Sequence, residues 1–351
     1  SDLLIDQMTR LNSKMRLLVV YFGNPYGLRS LTGFPNLILA HENLKEYQSV
    51  AANAIAGFAP FNGILPVSLN KKHSAGHGLQ LERQAILSYD DPENRGISSK
   101  GMDSIDQLML QGIAERAFPS AVVLVARQGK IIHHQAYGYH TYKRKRKVEK
   151  QTVYDLASIT KVAATTLCLM KLEDQGLISV EEPLGDHLPL VKGSDKENIL
   201  ILDILQHRAG LIPWIPFYEQ TIESNRKGGV ELKEEIYSSE GDLKKNTPID
   251  GNHYILNSYR DSIYDMILKS EVFEEKTYRY SDIGFYLLKE LIEHKSGLSL
   301  SRFFEQEFVK PLNLNSTQFN PWLSMDIADI PPTERDDYFR NQVVQGYVHD
   351  M

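Results

Sequence analysis

Tyr154-Asp155-Leu156-Ala157-Ser158-Ile159-Thr160-Lys161 is the stretch around which the chain is organised. A strand-like, turn-like entry gives way at Ser158 to an apolar run, Val162 to Leu172. Ala163, Ala164, Leu167, Cys168, Met170 and Leu172 make that run close to apolar all round, which predicts a buried helix. Ser158 falls in its first turn and Lys161 three residues on, so the two share a helix face. A hydroxyl beside an amine is a route to a nucleophilic serine, provided burial or a cationic neighbour lowers the amine pKa. The helix N-terminus favours the negative charge that develops. A serine in this position also fits a plain N-cap.

The chain is 351 residues long, which predicts two domains. Its 42% hydrophobic and 24% charged content is that of a globular protein. A net charge of -6 argues against nucleic acid as partner. The one cysteine, Cys168, has no internal disulfide partner and leaves the redox compartment open. No stretch has the length and apolarity of a membrane span, and no signal-peptide pattern stands at Ser1. Ser1-Asp2-Leu3 reads as the middle of a longer protein, with any targeting segment outside this chain.

Upstream, Leu3 to Lys14 has helical spacing. Leu17-Leu18-Val19-Val20-Tyr21-Phe22, ended by Gly23-Asn24-Pro25, predicts a buried strand and a turn. Asn36 to Ala40 is a second strand and Asn43 to Phe58 a helix, together an α/β layer with a parallel sheet. Val20-Tyr21-Phe22-Gly23-Asn24-Pro25-Tyr26, Leu37-Ile38-Leu39-Ala40, Gln48-x-x-Ala51-x-x-Ala54-Ile55-x-Gly57 and Gly63-x-Leu65-Pro66-Val67-Ser68 resemble the end of the C-terminal α/β domain of family 3 glycoside hydrolases. The resemblance implies a glycosidase neighbour of the β-N-acetylhexosaminidase type, whose catalytic barrel would lie upstream in the same polypeptide. Asn24, Glu42 and His73 are candidates to line a sugar site, or are turn and surface residues.

Asp90 to Gly101 is polar and rich in breakers and reads as a linker. Met102 to Ala117 predicts an amphipathic helix through Ile105, Leu108, Met109, Ile113 and Ala114. Ser120 to Arg127 and Lys130 to Tyr137, divided by Gln128-Gly129, predict a hairpin. The basic run Lys143 to Lys147 reads as a solvated loop rather than a nucleic-acid contact. Ile199 to Leu211 is apolar and closes on a polar turn, where His207 is either a base or a residue that orients the loop. Ile212 to Ser270 is poorly periodic and predicts an excursion over the site. Tyr278-Arg279-Tyr280-Ser281-Asp282-Ile283-Gly284-Phe285 leads into a helix stopped at Ser296-Gly297. Tyr280 and Asp282 both reach one cleft if the backbone between them is extended. Tyr280 near Lys161 would share its proton work.

The order Ser158-x-x-Lys161, Leu205-x-His207-x-x-Gly210-Leu211, Tyr280-Ser281-Asp282-x-Gly284-Phe285-x-x-Leu288 and Gly297-x-Ser299 resembles the serine β-lactamase-like family of class C β-lactamases, penicillin-binding DD-peptidases and related esterases. The resemblance covers about Met102 to Met351. It implies Ser158 as the acylated nucleophile, Lys161 as its proton acceptor and Tyr280 as a second acid/base, with no cofactor or metal. Asp282 stands where many members have Asn, which puts a penicillin-type amide in doubt. A third family motif, Lys or His, a small residue and Gly on a strand that gives an oxyanion-hole NH, has no counterpart here. Val348-His349-Asp350 resembles the segment that precedes it. One oxyanion donor contributes about 2.7–4 kcal/mol, so a chain without that strand is expected to be weakly active.

The expected fold class is α/β plus α+β: a partial glycosidase-type α/β sandwich domain (1–88), a linker (89–101) and a β-lactamase/transpeptidase-like domain (102–351) of antiparallel sheet and helices, incomplete at both ends. The expected function is a serine hydrolase that forms an acyl-enzyme on an ester or amide in cell-wall or amino-sugar metabolism, at Ser158, Lys161, Tyr280 and Asp282. The alternative is a glycosidase whose β-lactamase-like part is a non-catalytic binding module. The expected partners are a small-molecule, peptide or glycan substrate and the upstream barrel, and the location a bacterial periplasm or envelope.

Overall fold

The computed structural model describes residues 2–55, 57, 60–81, 87–224, 229–242 and 245–349. The chain divides into two compact units, one of residues 1–117 and 121–136, the other of 118–120 and 137–351.

In the first unit, α1 (Asp2–Asn12) precedes the parallel pair β1 (Val19–Phe22) and β2 (Leu37–Ala40), in register from Val19 opposite Leu37 to Phe22 opposite Ala40. Val19, Leu28, Leu31, Phe34 and Leu69 form a small core, onto which Ile5 and Met8 of α1 pack. Helix α2 (Lys45–Ile55) follows; Phe58, the expected end of that helix, lies outside the described residues. The segment expected as a linker is folded. β3 (Ser88–Tyr89) pairs in parallel with a later strand, and Asp90 accepts bonds from Asn94 and Arg95 across a short 3-10 turn, Pro92–Arg95. These bonds hold the Asp90 carboxyl at about 2. Helix α3 (Ser99–Ala114) opens on Ser98, whose hydroxyl accepts the Lys100 N–H. Leu108, expected on its inner face, is exposed. β4 (Ser120–Arg127) and β5 (Lys130–Gly138) form the expected hairpin, in a sheet of order β3-β5-β4. Its turn residues Gln128 and Gly129 both have positive φ, 51° and 72°, the geometry that matches the twist of the flanking strands.

The second unit is built on helices. The chain leaves Ser158 through a π-helical stretch, Lys161–Thr166, into α4 (Leu167–Asp174), then α5 (Leu184–His187) and α6 (Ile201–Leu205). Two small sheets follow, β6 (Ile222–Ser224) with β7 (Val230–Leu232), and β8 (Tyr237–Ser238), β9 (Asn246–Pro248) and β10 (Tyr254–Leu256) in order β8-β10-β9. Then come α7 (Tyr259–Lys269), α8 (Ile283–Ser296), α9 (Leu300–Phe304) and the pair β11 (Glu334–Asp336) and β12 (Gln342–Val344). Helices α4, α6, α7, α8 and α9 share one core, with Leu169, Ile204, Ile267, Leu287, Leu291 and Phe303 among its members. Gly284 admits the close approach of α8 to α6, since a Cβ there would lie 2.4 Å from Ile204 Cγ2.

Two expectations fail here. The helix after Ser158 is not buried all round. Ala164, Cys168, Leu169 and Leu172 face the core, while Val162 is 61% and Met170 58% exposed. Nor is 212–270 wholly an excursion, because Tyr264 and Ile267 of α7 lie in the central core. Its period was masked by Arg260, Asp261, Asp265 and Lys269 on the outer face.

Candidate active site

The turn before the π-helical stretch is held locally. The Asp155 carboxylate accepts the Ala157 N–H at 2.9 Å, and Thr160 N–H and Lys161 N–H close turns onto the carbonyls of Ala157 and Ser158. Ala157 has φ 43°, a left-handed conformation that costs an L-residue about 1–2 kcal/mol. The kink presents Ser158 at the surface. Lys161 Nζ donates to Ser158 Oγ at 2.9 Å. The helical spacing thus brings together the two groups it predicted.

The opposite wall is a backbone zipper. Arg279 N–H donates to His207 O at 2.8 Å, Ser281 N–H to His207 Nδ1 at 3.2 Å, Ser281 Oγ to Ile212 O at 2.7 Å and Asp282 N–H to Pro213 O at 2.8 Å. Ser281 is thereby anchored in the interior, while its neighbours Tyr280 and Asp282 reach Lys161, Asp282 from helical backbone (φ -76°, ψ -33°) at the start of α8. Asp282 Oδ1 lies 2.7 Å from Lys161 Nζ. That oxygen is shielded from solvent, and the short contact to the ammonium is an ion pair. The ammonium also sits 5.5 Å from the Tyr280 ring centroid and 5.7 Å from that of Phe285.

These neighbours set the charge state of Lys161. Its burial works to lower the pKa, but the Asp282 carboxylate and the Tyr280 hydroxyl outweigh burial and raise it. Lys161 is therefore an ammonium at rest. The lowered amine pKa that the sequence reading required is not found, because the Asp282 carboxylate faces the ammonium.

His207 orients the loop. It has φ 55°, its Nδ1 accepts the Ser281 N–H, and its ring stacks obliquely on Tyr280 at 4.4 Å. Burial, then the nearby Lys161 charge, lowers its pKa and keeps it neutral. Sequence reasoning missed the left-handed Ala157 and the Phe285 ring, and neither carries a residue-type signal. Of the sugar-site candidates in the first unit, Asn24 caps the 3-10 turn Pro25–Leu31 through the Tyr26 N–H. His73 is bonded to Asn70 in a turn, and Glu42 is exposed. Among the described residues no three His, Cys, Asp or Glu side chains come together to hold a metal, and no helix is long and apolar enough to cross a membrane.

Residues 105–331 match the family model described as Beta-lactamase. The N-acetylmuramyl-L-alanine amidase of Bacillus subtilis (strain 168) is 31% identical over 321 residues, covering 83% of this chain and 65% of that protein. A putative D-alanyl-D-alanine carboxypeptidase of Salmonella enteritidis PT4 is 28% identical over 254 residues, 67% of this chain and 51% of that protein. The chain thus spans about half to two thirds of the length of these relatives. The octameric penicillin-binding protein homologue from Pyrococcus abyssi superposes with a TM-score of 0.50 at 19% identity, over 71% of this chain and 52% of that one. That likeness is one of fold.

Proposed function

The chain belongs to the Beta-lactamase family, and on that premise we propose that it is a serine hydrolase that forms an acyl-enzyme at Ser158. The observation that carries the reading is the 2.9 Å contact between Lys161 Nζ and Ser158 Oγ, with Asp282 and Tyr280 gathered on the same ammonium. Ser158 Oγ attacks an ester or amide carbonyl, and the Ser158 N–H is one donor to the oxyanion, the strand N–H of the family's third motif having no counterpart in this sequence. Tyr280 protonates the leaving group, and water then clears the acyl group. The names of the Bacillus and Salmonella relatives support a substrate drawn from cell-wall peptide or amino-sugar material, and with it a bacterial periplasmic or envelope location.

Residues 1–88 are read as the end of a family 3 glycoside hydrolase domain, 89–101 as its connection and 102–351 as the hydrolase domain. The parallel pair β1–β2 followed by α2 supports the first of these. The charged state of Lys161 favours a second reading, a non-catalytic binding module beside a β-N-acetylhexosaminidase.

Intact-mass analysis after treatment with a fluorophosphonate and with a labelled penicillin separates the two. The expected result is a phosphonate adduct on the wild type and none on Ser158→Ala. An adduct with penicillin as well would move the activity toward peptidase or β-lactamase chemistry. Absence of any Ser158-dependent adduct would leave the binding module.

A further inference from the structure

An ammonium has no lone pair with which to take the Ser158 proton, so Lys161 must lose one before it can act. The groups that face its Nζ can be named element by element. Ser158 comes from its own turn, Tyr280 and Asp282 from the loop before α8, Phe285 from α8 itself, and His207 from the turn after α6. Phe285 offers only a ring face. His207 Nδ1 is occupied by the Ser281 N–H. The Tyr280 hydroxyl is a weak base. Asp282 Oδ1 remains, 2.7 Å from Nζ and itself shielded from solvent, on a side chain that is 43% exposed.

We propose that Asp282 is the station that receives the proton of Lys161, so that Lys161 and Asp282 form a two-step relay leading away from Ser158. The proposal rests on the reading of Ser158 as the acylated nucleophile. At rest the pair is ammonium and carboxylate. When a substrate covers the site and excludes water, the charged pair loses its hydration and the neutral pair gains in relative stability. The proton then moves from Nζ to Oδ1, leaving a neutral amine and a carboxylic acid. The amine lone pair takes the Ser158 hydroxyl proton as the Oγ–carbon bond forms, and the carbonyl π electrons move to oxygen. As the tetrahedral intermediate collapses, the bond to the leaving group breaks and the leaving group takes a proton from the Tyr280 hydroxyl. The Lys161 ammonium restores that hydroxyl proton. The amine then recovers the proton held on Asp282, and the ion pair reforms. Charge and protons balance with no external co-reactant. Asp282 acts through Lys161 and is a positioning residue in this scheme. The carboxylate in place of the family's usual amide then has a use: it lets the lysine work without first giving a proton to bulk water.

The pH profile of acylation reads this directly. Burst kinetics of this chain with a p-nitrophenyl ester are measured for the wild type, Asp282→Asn and Asp282→Glu. The relay and the resting ion pair have the same total protonation, so the wild-type rate is level from about pH 6 to about pH 9. In Asp282→Asn the lysine must deprotonate to solvent, so the rate climbs about tenfold per pH unit until the lysine, freed of the carboxylate that raises its pKa, is neutral. Asp282→Glu restores a level profile, which a merely misfolded site would not allow. A profile in Asp282→Asn as level as that of the wild type from about pH 6 to about pH 9 overturns the relay and leaves the hydrolase reading intact. Absence of a Ser158-dependent acyl adduct by intact mass on the wild type overturns both.

Discussion

Two lysines in the second unit show how surroundings turn the same side chain into a structural post or a reactive group. Lys196 is fully buried and its Nζ donates to Asp195 Oδ1, Leu268 O and Ser270 O at 2.7, 3.2 and 2.6 Å. Three donors meet three acceptors, and two of those are carbonyls at the C-terminal end of α7, where unpaired acceptors and the negative end of the dipole favour a cation. Lys161 keeps 17% of its side chain exposed and meets a hydroxyl, two aromatic faces and one carboxylate oxygen. Lys196 also has a carboxylate at 2.7 Å, but the other two acceptors of its ammonium are carbonyls, with no hydroxyl to deprotonate. Lys161, with the Ser158 hydroxyl on one side and the Asp282 carboxylate on the other, has a proton to take as well as one to give.

The same substitution at both positions is the strongest way to break this contrast. Lys161→Met is expected to slow acylation by on the order of 10³-fold, which corresponds to about 4 kcal/mol of barrier. Its unfolding free energy should change by about 1 kcal/mol, because the Asp282 side chain left behind is 43% exposed and can turn to water. Lys196→Met is expected to lower stability by about 3 kcal/mol, since it leaves buried carbonyl acceptors without a donor. Its acylation rate per folded molecule should match wild type. Burst kinetics and urea unfolding on both variants check the pair. If Lys196→Met slows acylation while remaining stable, the division into post and reactive group is wrong.

A smaller effect sharpens the role of His207, which holds the Tyr280–Asp282 wall. Its folded pKa is depressed, so the folded state binds the proton less well than the unfolded chain does. The neutral form's contribution is fully present above the unfolded value near 6.5 and is lost as pH falls below it toward the folded value. The urea midpoint of the wild type should therefore decline between about pH 7 and about pH 5. In His207→Asn this part of the decline should disappear. Asn tolerates the left-handed backbone that His207 adopts and has an oxygen to accept the Ser281 N–H. The cost at pH 8 should be about 1 kcal/mol. An unchanged pH slope in the variant would remove His207 as the titrating group.

What was legible in the sequence divides along the same physical line. Local geometry was legible. The Gln128-Gly129 turn, the stop at Gly297 and the shared face of Ser158 and Lys161 all follow from residue type and period. The charge state of Lys161 was not, because it depends on a carboxylate brought from the far side of the fold by the zipper of 279–282 on 207–213. The order in residues 89–101 was hidden because the acids and breakers that mark a linker also make the Asp90 network and the cap of α3. The π-helical stretch at Lys161–Thr166, stabilised by Thr166 Oγ1 donating to Lys161 O at 2.8 Å, has no composition of its own.

The smallest expected effect concerns Ala157, whose left-handed backbone presents Ser158. Ala157→Gly removes the clash of a Cβ in that conformation but adds freedom to the unfolded chain. The two partly cancel, and a net stabilisation of about 0.5 kcal/mol is expected. Rate should move the other way. The kink sets where Oγ stands relative to Nζ, and a glycine lets it wander, so acylation should slow by about threefold. Ala157→Val tests the same residue from the other side. A β-branched residue at φ 43° is severely strained and should destabilise by more than glycine stabilises. If glycine raised both stability and acylation rate, the left-handed turn would be a burden on the fold rather than the means by which Ser158 reaches Lys161.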